Sequence, residues 1–470
     1  VEAITFRIGE ERVDVSGELL ERYGTTGPRY TSYPPVPRWR DDFDVRDHAT
    51  ALSAAQAPAR SVYVHVPFCA RRCLYCGCNV VITQNRERAD RYLDWIESEI
   101  DLVTGHVDGA RPTVQVHWGG GTPTYLTPSQ IERLWSAQVS RFPLAEGAEV
   151  GVEVDPRVTR REHLRTLAEL GFNRLSLGVQ DFAPEVQEAI GRVQSVELTR
   201  EVIDQARDFG FGSVNVDLIY GLPRQTLEAF RRTLSSVREL GPERIALFNY
   251  AHLPHRFKHQ RALPIADLPS GMDKLRLFTT AIEELTGTGY RFIGLDHFAR
   301  EDDELATAHD DRTLYRNFMG YSTHAGTDLF AFGASAIASV GGRYVQNDPE
   351  LATYGAALAE GRLPTRRGLE LSGDDRMRRE LITRLLCHDR VVRADMEDGY
   401  PDLLSEGFDV ALAEDLTRLA PLIEDGLVTD DGCQIVVTPR GRLFVRNVAM
   451  CFDAPLHSGR GPSVQYSKTH

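Results

Sequence analysis

The sequence predicts an α/β protein built on parallel strands, either a barrel or an open sheet. Short apolar runs of β type alternate with segments of helical period between residues 61 and 248. Such alternation means parallel strands joined by right-handed crossovers. Each run also ends in a group of cysteines, glycines or polar residues, and parallel α/β barrels build their active sites from the loops at the carboxyl ends of the strands. Six such ends are expected to converge on one mouth. The 470 residues suit about three domains, or one large barrel with attachments.

Residues 1–53 read as an N-terminal extension, in which Pro28, Pro34, Pro35 and Pro37 mark an extended stretch around Arg29-Tyr30-Thr31-Ser32-Tyr33. Strands are expected at 61–66, 114–118, 149–154, 174–179, 213–219 and 244–248. The first leads into the cysteines, the second into Gly119-Gly120-Gly121-Thr122-Pro123, the third into Glu153-Val154-Asp155-Pro156. The fourth ends in Gly178-Val179-Gln180-Asp181, the fifth in Asp217 to Tyr220 and then Gly221-Leu222-Pro223, the sixth in Asn249-Tyr250-Ala251-His252. Between them Ala89, Leu93, Ile96, Ile100 and Val103 step by fours and threes, as do Phe230, Leu234 and Val237. Thr127-Pro128-Ser129-Gln130 carries a threonine cap, proline in the first turn and glutamine three residues on, which is a helix start. This α/β block is placed at 54–370. From 371 to 470 the pattern changes to helices with charged faces and a hairpin signal around the Asp-Asp-Gly turn at 430–432, so a small, mostly helical domain resembling a winged helix is expected.

Composition narrows the function. The formal charge of −14 and a pI near 5.5 argue against a protein that neutralises the phosphates of a duplex, so no nucleic-acid partner is expected. No apolar run reaches the roughly 18 residues that span a bilayer. Arg7, Glu10, Glu11, Arg12 and Asp14 break up the first apolar residues, unlike a secretory signal. A soluble cytoplasmic protein without a membrane partner is the expectation. Four of the seven cysteines (Cys69, Cys73, Cys76, Cys78) fall within ten residues, whereas Cys387, Cys433 and Cys451 stand singly. A secreted disulfide framework spreads its cysteines; this spacing suits a metal centre or thiol chemistry.

Cys69-x3-Cys73-x2-Cys76 places three thiolates on one short loop, enough to grip three corners of one cubane cluster. Iron-sulfur clusters are normally held by four cysteines, so a three-cysteine set leaves one iron open to a substrate or cofactor. A structural zinc site wants a second Cys or His pair at ordered spacing, and the remaining cysteines and histidines supply none. Cys78 as fourth ligand would make an electron carrier; it is expected on the face opposite Cys76. The glycines at 119, 120 and 121 let backbone amides approach a ligand, or form a flexible turn. Glu153, Gln180, Arg192 and Asp217 read equally as ligand-binding groups or as caps and ion-pair partners. Tyr63 and His65 alternate with Val64 and Val66 and face together; His65 alone reads as a core histidine bonded to a carbonyl.

The cysteine spacing resembles the radical S-adenosylmethionine superfamily, and longer stretches resemble one family within it, the oxygen-independent coproporphyrinogen III oxidases. The likeness runs through Arg29-Tyr30-Thr31-Ser32-Tyr33-Pro34, His65-Val66-Pro67-Phe68-Cys69, His117-Trp118-Gly119-Gly120-Gly121-Thr122-Pro123-Thr124, Asp217-Leu218-Ile219-Tyr220-Gly221-Leu222-Pro223 and Arg446-Asn447-Val448-Ala449-Met450-Cys451-Phe452-Asp453, and so covers nearly the whole chain. It implies a three-quarter (β/α)6 barrel, a 4Fe-4S cluster on Cys69, Cys73 and Cys76, and two S-adenosylmethionine molecules in one cavity. Tyr63, Gly120, Glu153 and Ile337 would contact the cluster-bound molecule; Tyr75, Gly121, Thr122, Gln180, Arg192, Asp217 and Ala251 would contact the second. Tyr75 stands where the family often has phenylalanine, and both offer an aromatic face. His65 and Cys78 become catalytic candidates, Cys78 as a residue needed for turnover and not as a ligand.

The implied reaction is oxidative decarboxylation of two propionates of coproporphyrinogen III to vinyls, giving protoporphyrinogen IX in haem biosynthesis, started by a 5′-deoxyadenosyl radical. Arg29, Arg300 and Arg316 are the candidate partners of the substrate carboxylates. The alternative within the superfamily is a paralogue acting as a haem chaperone or radical methyltransferase; such chaperones typically lack the Cys-x-Cys ending formed here by Cys76 and Cys78. An electron donor such as flavodoxin or ferredoxin is expected, and since those are generally acidic, Arg71 and Arg72 inside the cysteine loop are the nearest cations for docking. The expected working unit is a monomer.

Overall fold

The computed structural model describes residues 3–107, 111–457, 466 and 468. Six strands stand where the apolar runs place them: β1 Arg60–Val66, β2 Thr113–Gly120, β3 Leu144–Val154, β4 Arg174–Gln180, β5 Ser213–Tyr220 and β6 Arg244–Asn249. Each pairs in parallel with the next. The crossovers carry α1 Glu87–Thr104, α2 Pro128–Val139, α3 Arg161–Glu169, α4 Val196–Asp208 and α5 Leu227–Leu240. Ala89, Leu93, Ile96, Ile100 and Val103 are the buried stripe of α1, packed in one cluster with Val62, Val64 and Val66 of β1. At the start of α2, Thr127 Oγ1 accepts from Gln130 N and Gln130 Oε1 accepts from Thr127 N, closing the expected capping box.

Side chains alternate across a strand, so the residues between the apolar positions share the other face of the sheet. Register sets them side by side: Tyr63 opposite His117, Glu153 opposite Ser176, Ser176 opposite Asn215 and Gly178 opposite Asp217. A polar ladder thus crosses the concave face toward the carboxyl ends.

The sheet is larger than the sequence reading anticipates. A seventh parallel strand, Asp328–Phe332, lies beside β1. Antiparallel strands extend both sides, Tyr290–Gly294 and His297–Arg300 beyond β6 and Ile337–Val340, Arg343–Asn347 and Thr365–Glu370 beyond the seventh, giving one open sheet of twelve strands. Helices precede two of these flanking strands, Gly271–Thr286 before Tyr290–Gly294 and Leu351–Ala359 before Thr365–Glu370, but the flanks as a whole do not repeat the regular strand-helix alternation of β1 to β6, so periodicity does not find them. The third strand also starts five residues before the expected 149, because a register break, with Gly147 at φ +70°, lets Leu144 pair with Thr113.

The N-terminal segment forms a hairpin, Ala3–Ile8 with Glu11–Ser16, and then runs across the mouth of the sheet. In the C-terminal region the helices Gly373–His388, Ala413–Glu424 and Val445–Cys451 surround a three-stranded sheet in which Val428–Asp430 and Gln434–Val437 form the anticipated hairpin. One hydrophobic cluster runs from Phe6 and Val15 through Val216 and Leu247 to Leu381, Leu385 and Phe444, so the hairpin, the barrel and the C-terminal helices share a core. Among the described residues no helix is long and apolar enough to cross a membrane.

A buried carboxylate ties α1 to the end of the seventh strand. Glu99 accepts from Gly333 N at 2.8 Å, Asn347 Nδ2 at 2.5 Å and Tyr354 OH at 2.6 Å, while Tyr92 OH donates to His65 O and accepts from Ala334 N. Gly333 has φ +102°, and a Cβ there would lie 2.5 Å from Tyr92 OH and 2.6 Å from His65 O. Burial pushes the Glu99 carboxyl up to about 7, and its three hydrogen bonds offset only part of that rise. A folded-state value above the ordinary 4.5 contributes stability that is complete below pH 4.5 and is lost as pH climbs through about 7. The expected outcome is that the advantage of the parent protein over Glu99→Gln in thermal unfolding shrinks across that window, by up to about 3 kcal/mol. Parallel pH profiles for the two proteins would refute it.

Candidate active site

The six strand ends enclose a cavity of about 610 Å³. Its wall holds Cys69, Cys73, Cys76 and Cys78 from the loop after β1, Gly120 and Thr122 after β2, and residues from each of the other four ends.

The cysteine loop is a closed excursion pinned by its backbone. Phe68–Cys69 pairs with Val81–Ile82, Thr83 N donates to Cys69 O, and Leu74 N donates to Ile190 O. Gln260 Nε2 donates to Tyr75 O at 3.0 Å, and His259 Nε2 lies 2.7 Å from Cys76 O. All three ligand candidates are free thiols. The Thr122 hydroxyl is 3.5 Å from Cys69 Sγ, Arg157 Nη2 donates to Cys73 Sγ at 3.4 Å and Arg192 Nη1 at 3.7 Å, and Cys78 N donates to Cys76 Sγ at 3.4 Å. Burial pushes the Cys69 thiol up to about 11, whereas the Cys78 side chain, bonded to Cys76, holds the Cys76 thiol below its ordinary value. Among the described residues no three Cys, His, Asp or Glu side chains are grouped so as to hold a single metal ion. Three thiols spread along one cavity wall, each with a polar neighbour at its sulfur, fit a multi-iron cluster better than zinc.

Cys78 does not take the opposite face. It lines the same cavity as Cys76 and its backbone N–H donates to the Cys76 sulfur, and residues two apart share a side even on an extended chain, where alternate side chains point the same way.

The three glycines are explained by close packing. A Cβ on Gly119 would lie 2.7 Å from Glu153 Oε1, one on Gly120 2.6 Å from the His65 ring, and one on Gly121 2.7 Å from the backbone of Pro67. Gly120 also has φ +114°. Much of the space glycine opens is therefore filled by the protein's own site residues, while Gly120 and Gly121 still edge the cavity.

Glu153 accepts from Gly120 N at 3.1 Å, and His117 Nε2 lies 3.3 Å from its other oxygen. Burial works to raise its pKa, but the His117 contact and the Gly120 amide outweigh that and hold it below the ordinary range. Asp217 is pushed the other way, up to about 7, by burial and then by the Glu153 charge. Two carboxylates on one cavity wall are thus driven apart, one ionised and one half-protonated near neutrality. Tyr63 stacks on His117 with ring centroids 6.1 Å apart. Its hydroxyl meets His65 Nδ1 at 3.1 Å, and His65 Nε2 lies 3.0 Å from Asn79 O. A carbonyl only accepts, so Nε2 carries the proton and Nδ1 takes the tyrosine O–H; burial keeps this ring neutral.

Arg192 is buried, with Nη2 hydrogen-bonded to Gly178 O and Nη1 3.2 Å from Asp155, while its Nε has no partner among the described residues. Gln180, in the left-handed region at φ +72°, ends β4. The next residue, Asp181, is held by a clamp the sequence does not announce. Gln225 accepts from Gly221 N and donates to both Ile219 O and Asp181, and Asp181 also takes Thr233 Oγ1 at 2.7 Å. Tyr75, Asp217 and Ala251 complete the wall. Ile337 packs beside Trp39 and Tyr344 instead and does not line the cavity.

Of the three arginines expected for the substrate, only Arg29 edges this cavity, with Nη2 on Asn249 O. Arg300 pairs with Asp302 at the amino end of β6, because its strand runs antiparallel to β6 and ends where β6 begins. Arg316 donates to Tyr30 O in a separate small recess. Arg71, Arg72 and Arg256 edge the mouth in their place, exposed. Arg157 also lines the cavity, and its only local cue in the sequence is its position two residues after Asp155.

Comparison with known proteins agrees with this geometry. The family model of the radical SAM superfamily matches residues 63–237, and that of the HemN C-terminal domain matches residues 371–444. The chain is 46% identical over 451 residues to the oxygen-independent coproporphyrinogen III oxidase of Salmonella typhimurium, covering 96% of this chain and 97% of that one. The Escherichia coli protein of the same name is 45% identical, covering 95% and 96%. A solved structure of the Escherichia coli coproporphyrinogen III oxidase, described as a radical SAM enzyme, superposes with a TM-score of 0.88 at 44% identity, over 94% of this chain and 99% of that one. With the cysteine loop, the cavity and both ends of the chain accounted for, the protein belongs to the oxygen-independent coproporphyrinogen III oxidase family of radical SAM enzymes.

Proposed function

We propose that this chain converts two propionates of coproporphyrinogen III to vinyls in the cytoplasm, giving protoporphyrinogen IX, as a monomer that uses a 4Fe-4S cluster and two S-adenosylmethionine molecules. The observation that carries the reading is the cavity whose wall brings together three free thiols, an ionised carboxylate and the buried guanidinium of Arg192. Cys69, Cys73 and Cys76 would hold the cluster. When bound, the cluster and its S-adenosylmethionine supply one-electron opening of a sulfonium and abstraction of a hydrogen atom from the propionate.

The residues bind, orient and keep water out. Glu153, held ionised by His117 and the Gly120 amide, suits the ammonium of a methionyl group, with Tyr63 set behind it against His117. Arg192 Nε suits a carboxylate, and Asp217, Gln180, Gly121, Thr122, Ala251 and the Tyr75 ring are assigned to the second molecule. His65, neutral, fixes the Gly120 turn by its ring contact. Arg29, Arg71, Arg72 and Arg256 offer charge to the propionates of a tetracarboxylate.

Anaerobically purified protein should hold about four irons per chain and turn coproporphyrinogen III into protoporphyrinogen IX. Cys69→Ser should lose both the cluster and 5′-deoxyadenosine formation. Zinc in place of iron, or cofactor cleavage without porphyrin turnover, would overturn the reading and favour the paralogue.

Cys78 at the Cys76 sulfur suits a residue that serves turnover. Cys78→Ala is expected to keep its iron and lose at least about tenfold in product formation, in line with losing one positioned group. Iron loss equal to that of Cys69→Ser would make it a ligand.

The electron reaches the cluster from an acidic carrier such as flavodoxin or ferredoxin. Arg71 and Arg72 have no carboxylate partner among the described residues, and Arg72 Nη1 lies 3.4 Å from His259 Nδ1, which leaves a cationic edge on a chain of charge −14. Reversing both to glutamate should slow cluster bleaching by an acidic flavodoxin and flatten its dependence on ionic strength, since steering is screened beyond roughly 8 Å at physiological salt. Bleaching by dithionite should be unaffected. An unchanged flavodoxin rate at low salt rules the patch out.

A further inference from the structure

The three thiols differ in what meets them. Cys69 faces a hydroxyl and Cys76 faces Cys78. Cys73 alone receives guanidinium N–H groups, from Arg157 Nη2 at 3.4 Å and Arg192 Nη1 at 3.7 Å. Both arginines are aimed by one carboxylate. Arg157 Nε and Nη2 lie 3.0 and 2.6 Å from Asp155 oxygens, Arg157 N caps the same carboxylate at 3.1 Å, and Arg192 Nη1 and Nη2 reach it at 3.2 and 3.3 Å. The side chains are mostly withdrawn from solvent, 18% exposed for Arg157, 6% for Arg192 and 13% for Asp155. Two cations share one anion, so the group keeps a net positive charge beside the Cys73 sulfur, where water screens little of it.

We propose that Arg157, supported by Arg192 and oriented by Asp155, is a positioning residue that raises the reduction potential of the cluster by donating a charged N–H to the Cys73 sulfur. A donor to a ligating thiolate withdraws electron density and stabilises the extra electron of the reduced cluster, and such hydrogen bonds are among the groups that set cluster potentials. Arginine stays protonated throughout the working range, and its planar fork serves the carboxylate and the sulfur at once. One electron passes from a low-potential reductant to the oxidised cluster. No bond is made or broken in that step; Arg157 shifts only its equilibrium. The inference rests on Cys73 being a cluster ligand.

The test is a redox titration of the iron-loaded protein, anaerobic and without S-adenosylmethionine, read by the absorbance and electron-spin signal of the reduced cluster. Arg157→Gln is expected to lower the ratio of reduced to oxidised cluster at a fixed potential by about tenfold, about 59 mV for one electron. Arg157→Lys, which keeps the charge and loses the fork, should lower it less. Asp155→Asn, which removes the shared anion, should move the ratio upward. Opposite shifts from neighbours in one ion pair are not what a structural role produces, since breaking the pair from either side would cost iron loading or thermal stability without changing the potential of the loaded fraction. Ratios within twofold of the parent in the loaded Arg157 variants, or shifts of the same sign in Arg157→Gln and Asp155→Asn, would overturn the inference. A parent protein with no reducible cluster would overturn the cluster reading instead, so the two failures are distinct.

Discussion

A loop that offers three thiols to one cavity must be held still although it lies outside the sheet. Here the holding is done by backbone hydrogen bonds to elements far apart in sequence. Leu74 is fixed to the end of a helix at Ile190, Tyr75 and Cys76 to Gln260 and His259, and the two feet of the loop to each other. Buried backbone groups need partners, so each of these bonds both satisfies a peptide and fixes the direction of a sulfur. The segment after β6 thereby becomes part of the cysteine loop's support, and the cavity inherits its shape from both.

Charge inside the site is organised against the balance of the whole chain. A protein of charge −14 keeps Glu153, Asp155 and Asp217 on one wall, where burial penalises every charge. The cost is met pair by pair: His117 and an amide for Glu153, two guanidiniums for Asp155, and partial protonation for Asp217. What remains uncompensated is cationic, at Arg192 and along the exposed mouth, which is the sign a polycarboxylate substrate requires.

The parts of this arrangement legible in the sequence are those set by local rules. Period-two alternation and helix stripes find β1 to β6 and the buried face of α1, and a threonine cap finds the start of α2. Strand-end position brings together the cysteine loop, the glycines, Glu153, Gln180, Asp217 and Ala251. What is not legible depends on how distant segments meet. The seventh strand and the antiparallel flanks do not follow the regular strand-helix alternation that marks β1 to β6. Cys78 lies two residues from Cys76, which alternation puts on the same side, but the bend that sets its N–H on the Cys76 sulfur is not written in the spacing. Arg300 is carried to the amino end of β6 by an antiparallel strand, and Arg157 gains its interest only when the fold sets it against Cys73.

The strap from Gly27 to Trp39 crosses the mouth of the cavity, and residues from the far end of the chain tie it down. Arg446 donates to Gly27 O and Pro28 O, Tyr30 OH donates to Asp453, and Arg38 to Pro455 O. The strap therefore cannot take its place until the segment from Arg446 to Pro455 has folded against it. Without those anchors the cavity that holds the cysteine loop would stand open to water on one side.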